Sequence, residues 1–210
     1  MRVEIWSDVV CPWCYIGKRR FERALGEFEH ADEVEVVWRS FELDPDAPPR
    51  RGSSAEHLMR KYGWTAEQVA ASNERLRGLA GAERLDYRLE ETQGGNTFDA
   101  HRLIHAAAAA GRGDEMKERL LRAYFTDGVA VGDREELVAV ASPVVPDAAE
   151  VLASDRYAED VRADEHEARV LGIHGVPFFV FDRRYAVEGA QASEVILGAL
   201  RQAWSERAAA

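Results

Sequence analysis

The stretch "IWSDVVCPWCYIGKRRFERAL", residues 5–25, decides the reading of this chain, because its centre holds the only two cysteines among 210 residues. Val3, Ile5, Trp6, Val9 and Val10 give residues 3–10 the β-branched and aromatic character of a strand. Pro12 follows Cys11, at a position where a helix can begin without losing a needed N–H. Apolar residues at 13, 16, 21, 25 and 28 then recur near helical spacing. Gly17 weakens that helix and predicts a bend. Cys11 and Cys14, three positions apart, fall on one helical face with Cβ atoms about 5–6 Å apart, close to disulfide distance. Unpaired N–H groups and the helix dipole favour a thiolate at that end, so the expectation is a lowered Cys11 pKa. Cys11 is then the attacking nucleophile, and Cys14, one turn inside, resolves the mixed disulfide. A structural zinc site would need two more ligands than this pair supplies. Apart from the i, i+4 pair His101 and His105, the six histidines are scattered, and no metal is expected.

Composition narrows the partners. The 38 acidic against 27 basic residues leave a formal net charge of −11, which repels phosphate backbones and anionic lipid. The longest apolar runs, 103–111 and 176–181, are too short to span a bilayer. The opening residues read as a strand and not as a secretory signal, which predicts a cytoplasmic protein whose thiols are kept reduced.

Outward from this stretch, "VEVVWRSFEL" at 34–43 reads as a second strand, with Trp38 and Phe41 expected in the core. Residues 51–155 are expected to be all-helical, with starts at Ser54, Thr65 (with Gln68), Asn96, Asp114 and Asp133 (with Glu136). Residues 83–95 read as an irregular or extended connection, and Arg50–Arg51 as a solvated loop. A helix over 156–172 stopped by Gly172, a hairpin of "VPFFVFD" and "YAVEGA", and a last amphipathic helix ending in a frayed 208–210 tail complete the chain. The expected fold is therefore α/β: a thioredoxin-like core from residues 1–50 and 156–210, split by a helical insertion at 51–155. A CxxC beside a βαβ pattern is a thioredoxin-like signal.

"CPWCYIG" after a strand, "GVPFFVF" opening a late strand, "WRSFELDP" at 38–45, "NTFDAHRLIH" at 96–105 and "VEGAQ" at 187–191 together resemble the DsbA-like thioredoxin superfamily. The nearer likeness is to its FrnE-like branch, grouped with 2-hydroxychromene-2-carboxylate isomerases and kappa-class glutathione transferases. The resemblance implies a cis Val176–Pro177 bond packed against the cysteine pair, with the Val176 backbone free to pair with a substrate peptide. It also implies that Trp13 stands where periplasmic DsbA proteins carry a histidine. That predicts a less oxidising couple than DsbA, whose potential is about −120 mV. In the isomerase and transferase relatives a serine usually matches Cys11; here both cysteines are kept.

The functional expectation is a thiol–disulfide oxidoreductase of the DsbA type with a redox-active Cys11–Cys14 disulfide and no other cofactor, shaped by Pro12, Trp13, Val176 and Pro177. Its partner would be a protein or small-molecule thiol or disulfide. Asp8, His174, Asn96 and His101 are secondary candidates: Asp8 as a proton shuttle, His174 approaching Cys11, Asn96 and His101 facing the cleft, with Asn96 equally explained as a helix cap. Two rivals stand. One is a glutathione-dependent isomerase or transferase acting on a small aromatic or polyketide-like substrate. The other is a non-catalytic peptide-binding chaperone. A dimer through the last helix or the insertion is left open.

Overall fold

Strand β1 (Arg2–Ser7) runs through the loop 8–11 into helix α1 (Pro12–Gly26), and the chain returns as β2 (Glu35–Ser40). The structure, a computed structural model, describes residues 1–49 and 52–207; Arg50, Arg51 and the tail 208–210 lie outside the described residues. A short β3 (Gly52–Ser53) leads to α2 (Ser54–Tyr62) and α3 (Ala66–Ala82). After β4 (Gln93–Gly94) come α4 (Phe98–Ala109), α5 (Gly113–Phe125), α6 (Arg134–Ala141) and α7 (Ala148–Ala153). The chain closes with α8 (Ala158–Val170), β5 (Phe178–Phe181), β6 (Tyr185–Glu188) and α9 (Ser193–Arg207). Among the described residues no helix is long and apolar enough to cross a membrane.

The main sheet has the order β2-β1-β5-β6, with β1 parallel to β2 and the other neighbours antiparallel. This is the split α/β arrangement expected from the sequence. Alternation along β1 assigns its faces. Val3 and Ile5 pair in register with Phe181 and Phe179 and join the large core against α1 and α9. Glu4 and Trp6 point to the other face, where Trp6 packs with Ala168 of α8 and its indole N–H donates to the Asp164 carbonyl at 3.0 Å. Glu4 on that face is buried but paired with Arg39 of β2 and Arg183 of the hairpin turn. Paired this way, its charge does not incur the full cost of burial. The hairpin turns through Asp182 and Arg183, both at positive φ, which suits the twist of the flanking strands.

Local signals explain several helix ends. Thr65 and Gln68 form a reciprocal capping box on α3. Asp133 caps α6 through the N–H groups of Glu135 and Glu136, while the Glu136 carboxylate turns back to accept from Ala130 N at 2.7 Å. Gly172 stops α8 at φ 72°, and Ile173 N closes the end on Ala168 O at 2.8 Å.

Three expectations need correction. Asp114 does not cap α5: that helix starts one residue earlier, and the carboxylate instead accepts from Trp38 Nε1 at 2.9 Å and faces the Lys18 ammonium. The region between β2 and α8 is not purely helical, because Gly52–Ser53 and Gln93–Gly94 pair as a two-stranded ribbon. It also carries α7, over "AAEVLA", which has no strong cap and is held by burial of Ala148, Val151 and Leu152. Finally, α1 runs unbroken through Gly17; the glycine admits a close neighbour, described below.

Candidate active site

Cys11 is the extended residue that caps α1, with φ −87° and ψ 115°, and Pro12 occupies the first helical turn. Cys14 N donates to Cys11 O at 3.0 Å, which sets the two thiols side by side at the helix N-terminus. The Tyr87 hydroxyl donates to Pro12 O at 2.6 Å from the stretch between α3 and β4, and its ring stacks on Tyr15 and Phe125. Opposite the thiols lies the Val176–Pro177 peptide bond, which is cis. The Cys11 thiol approaches the Val176 carbonyl at 3.4 Å. A Cβ on Gly17 would meet Pro177 Cγ at 2.8 Å, so a glycine is needed where α1 passes the proline.

Beneath the thiols is a cluster of buried polar side chains. Ser7 ends β1, Asp8 follows it in the loop, His101 comes from α4 and Lys117 from α5; each is at most 1% exposed. Lys117 Nζ donates to Ser7 O at 3.0 Å, and its ammonium lies 5.6 Å from the Trp38 ring centroid. Asp8 accepts from Leu43 N at 2.8 Å and faces His101 Nε2 at 3.4 Å. Burial raises the Asp8 carboxyl, but His101, the Leu43 amide and Lys117 outweigh it and hold Asp8 below the ordinary range. Burial dominates at His101 and Lys117, lowering both, Lys117 to about 8.

The two sulfurs divide their charge unevenly. Cys11 is held well above the ordinary thiol range, first by its hydrogen bond with Cys14, then by burial and the charges of Cys14 and Asp8. Burial also raises Cys14, yet the Cys11 thiol, the Lys117 charge and Ser7 together bring it below that range. The Cys11 thiol is directed at Val176 O. The helix terminus acts on both sulfurs, and the Lys117 charge interacts with both.

The sequence candidates separate clearly. Cys11, Cys14, Val176 and Pro177 meet at the thiols, and Asp8 and His101 lie directly beneath them. The Val176 carbonyl accepts from the Cys11 thiol in this state. Asn96 turns away: its side chain donates to Glu42 and to Pro45 O and, from one residue before the N-cap Thr97, accepts from Phe98 N at 2.9 Å. His174 is exposed on the loop before the cis bond and takes no part in the buried cluster. His105 diverges from His101 and pairs with Asp164 at 3.1 Å. Lys117 and Ser7 were not anticipated.

Beside the thiols, a cavity of about 410 Å³ opens between the β1–α1 loop and helices α2 and α3. Trp13 forms part of its wall and is 38% exposed; Leu43, Tyr62 and Trp64, also exposed, line the same space.

A family model described as a DSBA-like thioredoxin domain matches residues 2–201. The chain belongs to the DSBA-like thioredoxin family. This DSBA-like protein is similar to a probable DsbA oxidoreductase from Streptomyces coelicolor, with 48% identity, 98% of this chain and 91% of that chain covered, and a TM-score of 0.93. A 2-hydroxychromene-2-carboxylate isomerase shares the fold at 14% identity and a TM-score of 0.74, covering 99% of this chain and 98% of that one. The cytosolic disulfide reductase DsbM of Pseudomonas aeruginosa does so at 17% identity and 0.65, covering 100% and 98%.

Proposed function

We propose that the chain is a thiol–disulfide oxidoreductase whose Cys11–Cys14 pair cycles between dithiol and disulfide. The observation that carries this reading is the placement of two adjacent thiols at a helix N-terminus, with the outer one against the carbonyl that precedes a cis proline. Cys11 is the outer sulfur, 4% exposed against 1% for Cys14. Passing the Cys11 proton to Cys14 frees a Cys11 thiolate, which attacks a substrate disulfide and expels one substrate sulfur as thiolate. Cys14, once deprotonated, attacks the Cys11 sulfur of the mixed disulfide and releases the second substrate thiolate. Two electrons pass to the substrate and a Cys11–Cys14 disulfide forms; the reverse sequence oxidises a substrate dithiol. We assign this chemistry to the cytoplasm and to a core of residues 1–50 and 156–210 around an insertion at 51–155. Replacing Cys11 by serine removes the attacking sulfur and is expected to abolish exchange with a model disulfide. Full activity in that variant would end the proposal.

The cavity favours a second reading, a glutathione-dependent isomerase or transferase, because its volume falls within the range of small-molecule sites. Saturable glutathione binding that survives Cys14→Ala supports it, and no binding removes it.

A further inference from the structure

We infer that Tyr87 is a positioning residue for the cysteine pair: its hydroxyl holds the Pro12–Trp13 peptide and so keeps Cys14 within reach of Cys11 while no disulfide joins them. This deepens the exchange reading above and rests on it. The hydroxyl donates to Pro12 O at 2.6 Å, on the peptide midway between the two cysteines. Tyr87 is 2% exposed, although it belongs to no helix or strand. Burial, then the charges of Cys11 and Cys14, raise the hydroxyl above its ordinary range, so it stays a donor at neutral pH.

A donor on a loop positions its acceptor only where the loop itself is fixed. The backbone on either side of Tyr87 is tied to the end of α5. Arg88 N donates to Phe125 O, and the Thr126 hydroxyl donates to Asp86 O, both at 2.8 Å. The ring stacks on Phe125 of α5 with centroids 4.6 Å apart and on Tyr15 of α1 at 6.1 Å. A tyrosine has two side-chain torsions to fix, and these contacts hold the ring on both sides. The hydroxyl is thus aimed from a clamped ring at one carbonyl of the CPWC turn.

A disulfide closes this turn covalently. In the dithiol, and in a mixed disulfide, that link is gone. The turn then relies on the start of α1, where Cys14 N donates to Cys11 O at 3.0 Å, and on Tyr87. In the resolving step the Cys14 thiolate attacks the Cys11 sulfur of the mixed disulfide. The Cys11–Cys14 bond forms, the bond from Cys11 to the substrate sulfur breaks, and its electron pair leaves on the substrate thiolate. This step is intramolecular, so its rate and equilibrium follow how well the turn is already shaped for it. A tyrosine that only stabilised the fold would support both redox states equally.

Tyr87→Phe keeps the ring and removes the hydroxyl. In glutathione buffers its Cys11–Cys14 disulfide is expected to form with an equilibrium constant about three- to tenfold lower than the parent's, a potential higher by about 14–30 mV. The mixed disulfide with glutathione, trapped by acid and followed by mass, should persist longer by a similar factor. Val151→Ala, a buried change in α7, is the destabilised comparison and should leave the potential at the parent value. An unchanged or lower potential in Tyr87→Phe, or an equal rise in Val151→Ala, overturns the inference. If Tyr87→Phe does not fold, proton NMR of the intact dithiol protein decides. A Tyr87 hydroxyl proton protected from exchange with water supports the inference, and one in fast exchange overturns it. A parent chain with no reversible couple sinks the exchange reading and this inference together; a couple unmoved by Tyr87→Phe sinks this inference alone.

Discussion

Gly17 of α1 and Pro177 at the cis bond are in direct apposition, with space for a hydrogen but not for a methyl group: an added Cβ would sit 2.8 Å from Pro177 Cγ. The close approach holds the N-terminal turn of α1 against the late strand and so sets Cys11 beside Val176.

Adding side-chain volume at 17 is therefore expected to separate those elements. Overpacking of this kind costs about 1–3 kcal/mol, against a helix-propensity gain of only about 0.4 kcal/mol when valine replaces glycine. Gly17→Val should lower the denaturant midpoint and slow thiol exchange. Gly78, exposed in α3 with nothing within 4 Å of an added Cβ, is the contrast. There Gly78→Ala should stabilise by about 0.5–1 kcal/mol. Equal effects at the two positions would deny the Gly17–Pro177 contact any special role.

Tyr87→Phe removes the hydroxyl that donates to Pro12 O and leaves the ring stack with Tyr15 and Phe125 in place. A buried carbonyl left without its donor costs about 1–3 kcal/mol. Urea unfolding is expected to show a loss in that range; no change would mean that Pro12 O finds another donor.

Glu42 provides a pH signature. Burial, followed by the neighbouring Glu165 carboxyl, lifts it to about 8, against the lowering effect of Arg162. Between its ordinary value of 4.5 and about 8, the folded chain retains a proton that the unfolded chain releases. Stability contributed by this group is thus present below 4.5 and falls as pH rises through about 8. Glu42→Gln cannot titrate, so its stability relative to the parent should be more favourable at pH 8 than at pH 5. Parallel stability curves for the two proteins across that window would contradict the assignment.

Trp13 offers no charge to the thiols. Placing a protonatable imidazole there, with Trp13→His, should stabilise the thiolate form and make the pair more oxidising. Each 1.4 kcal/mol of that stabilisation corresponds to about 30 mV. Equilibration with glutathione buffers measures the shift, and an unchanged or lower potential would show that position 13 does not act on the pair electrostatically.

Much of this site could be read from short-range pattern. The strand before CPWC, proline at the start of α1, the capping box at Thr65 and the αL stop at Gly172 are signals within a few residues of their effects. The cis bond entered by family resemblance, carried by "GVPFF". What stayed hidden depended on distant docking. Lys117 sits among Met116, Leu120 and Leu121, and a lysine in such a helix ordinarily reads as a solvated end of a long side chain. Its one local hint is that it lies four residues before Leu121 and seven before Tyr124, on the buried stripe of α5. Gly17 was misread as a bend because the proline that needs its missing side chain lies 160 residues away in the chain.

The central claim, that Cys11 and Cys14 are one redox couple, is tested most directly by a redox titration of the intact protein that follows tryptophan fluorescence, with Trp13 beside the thiols as the reporter. The account predicts a single reversible two-electron transition, absent in Cys11→Ser, at a potential below the roughly −120 mV of DsbA. Two thiols that react independently with no reversible transition, or a potential as high as that of DsbA, would contradict it.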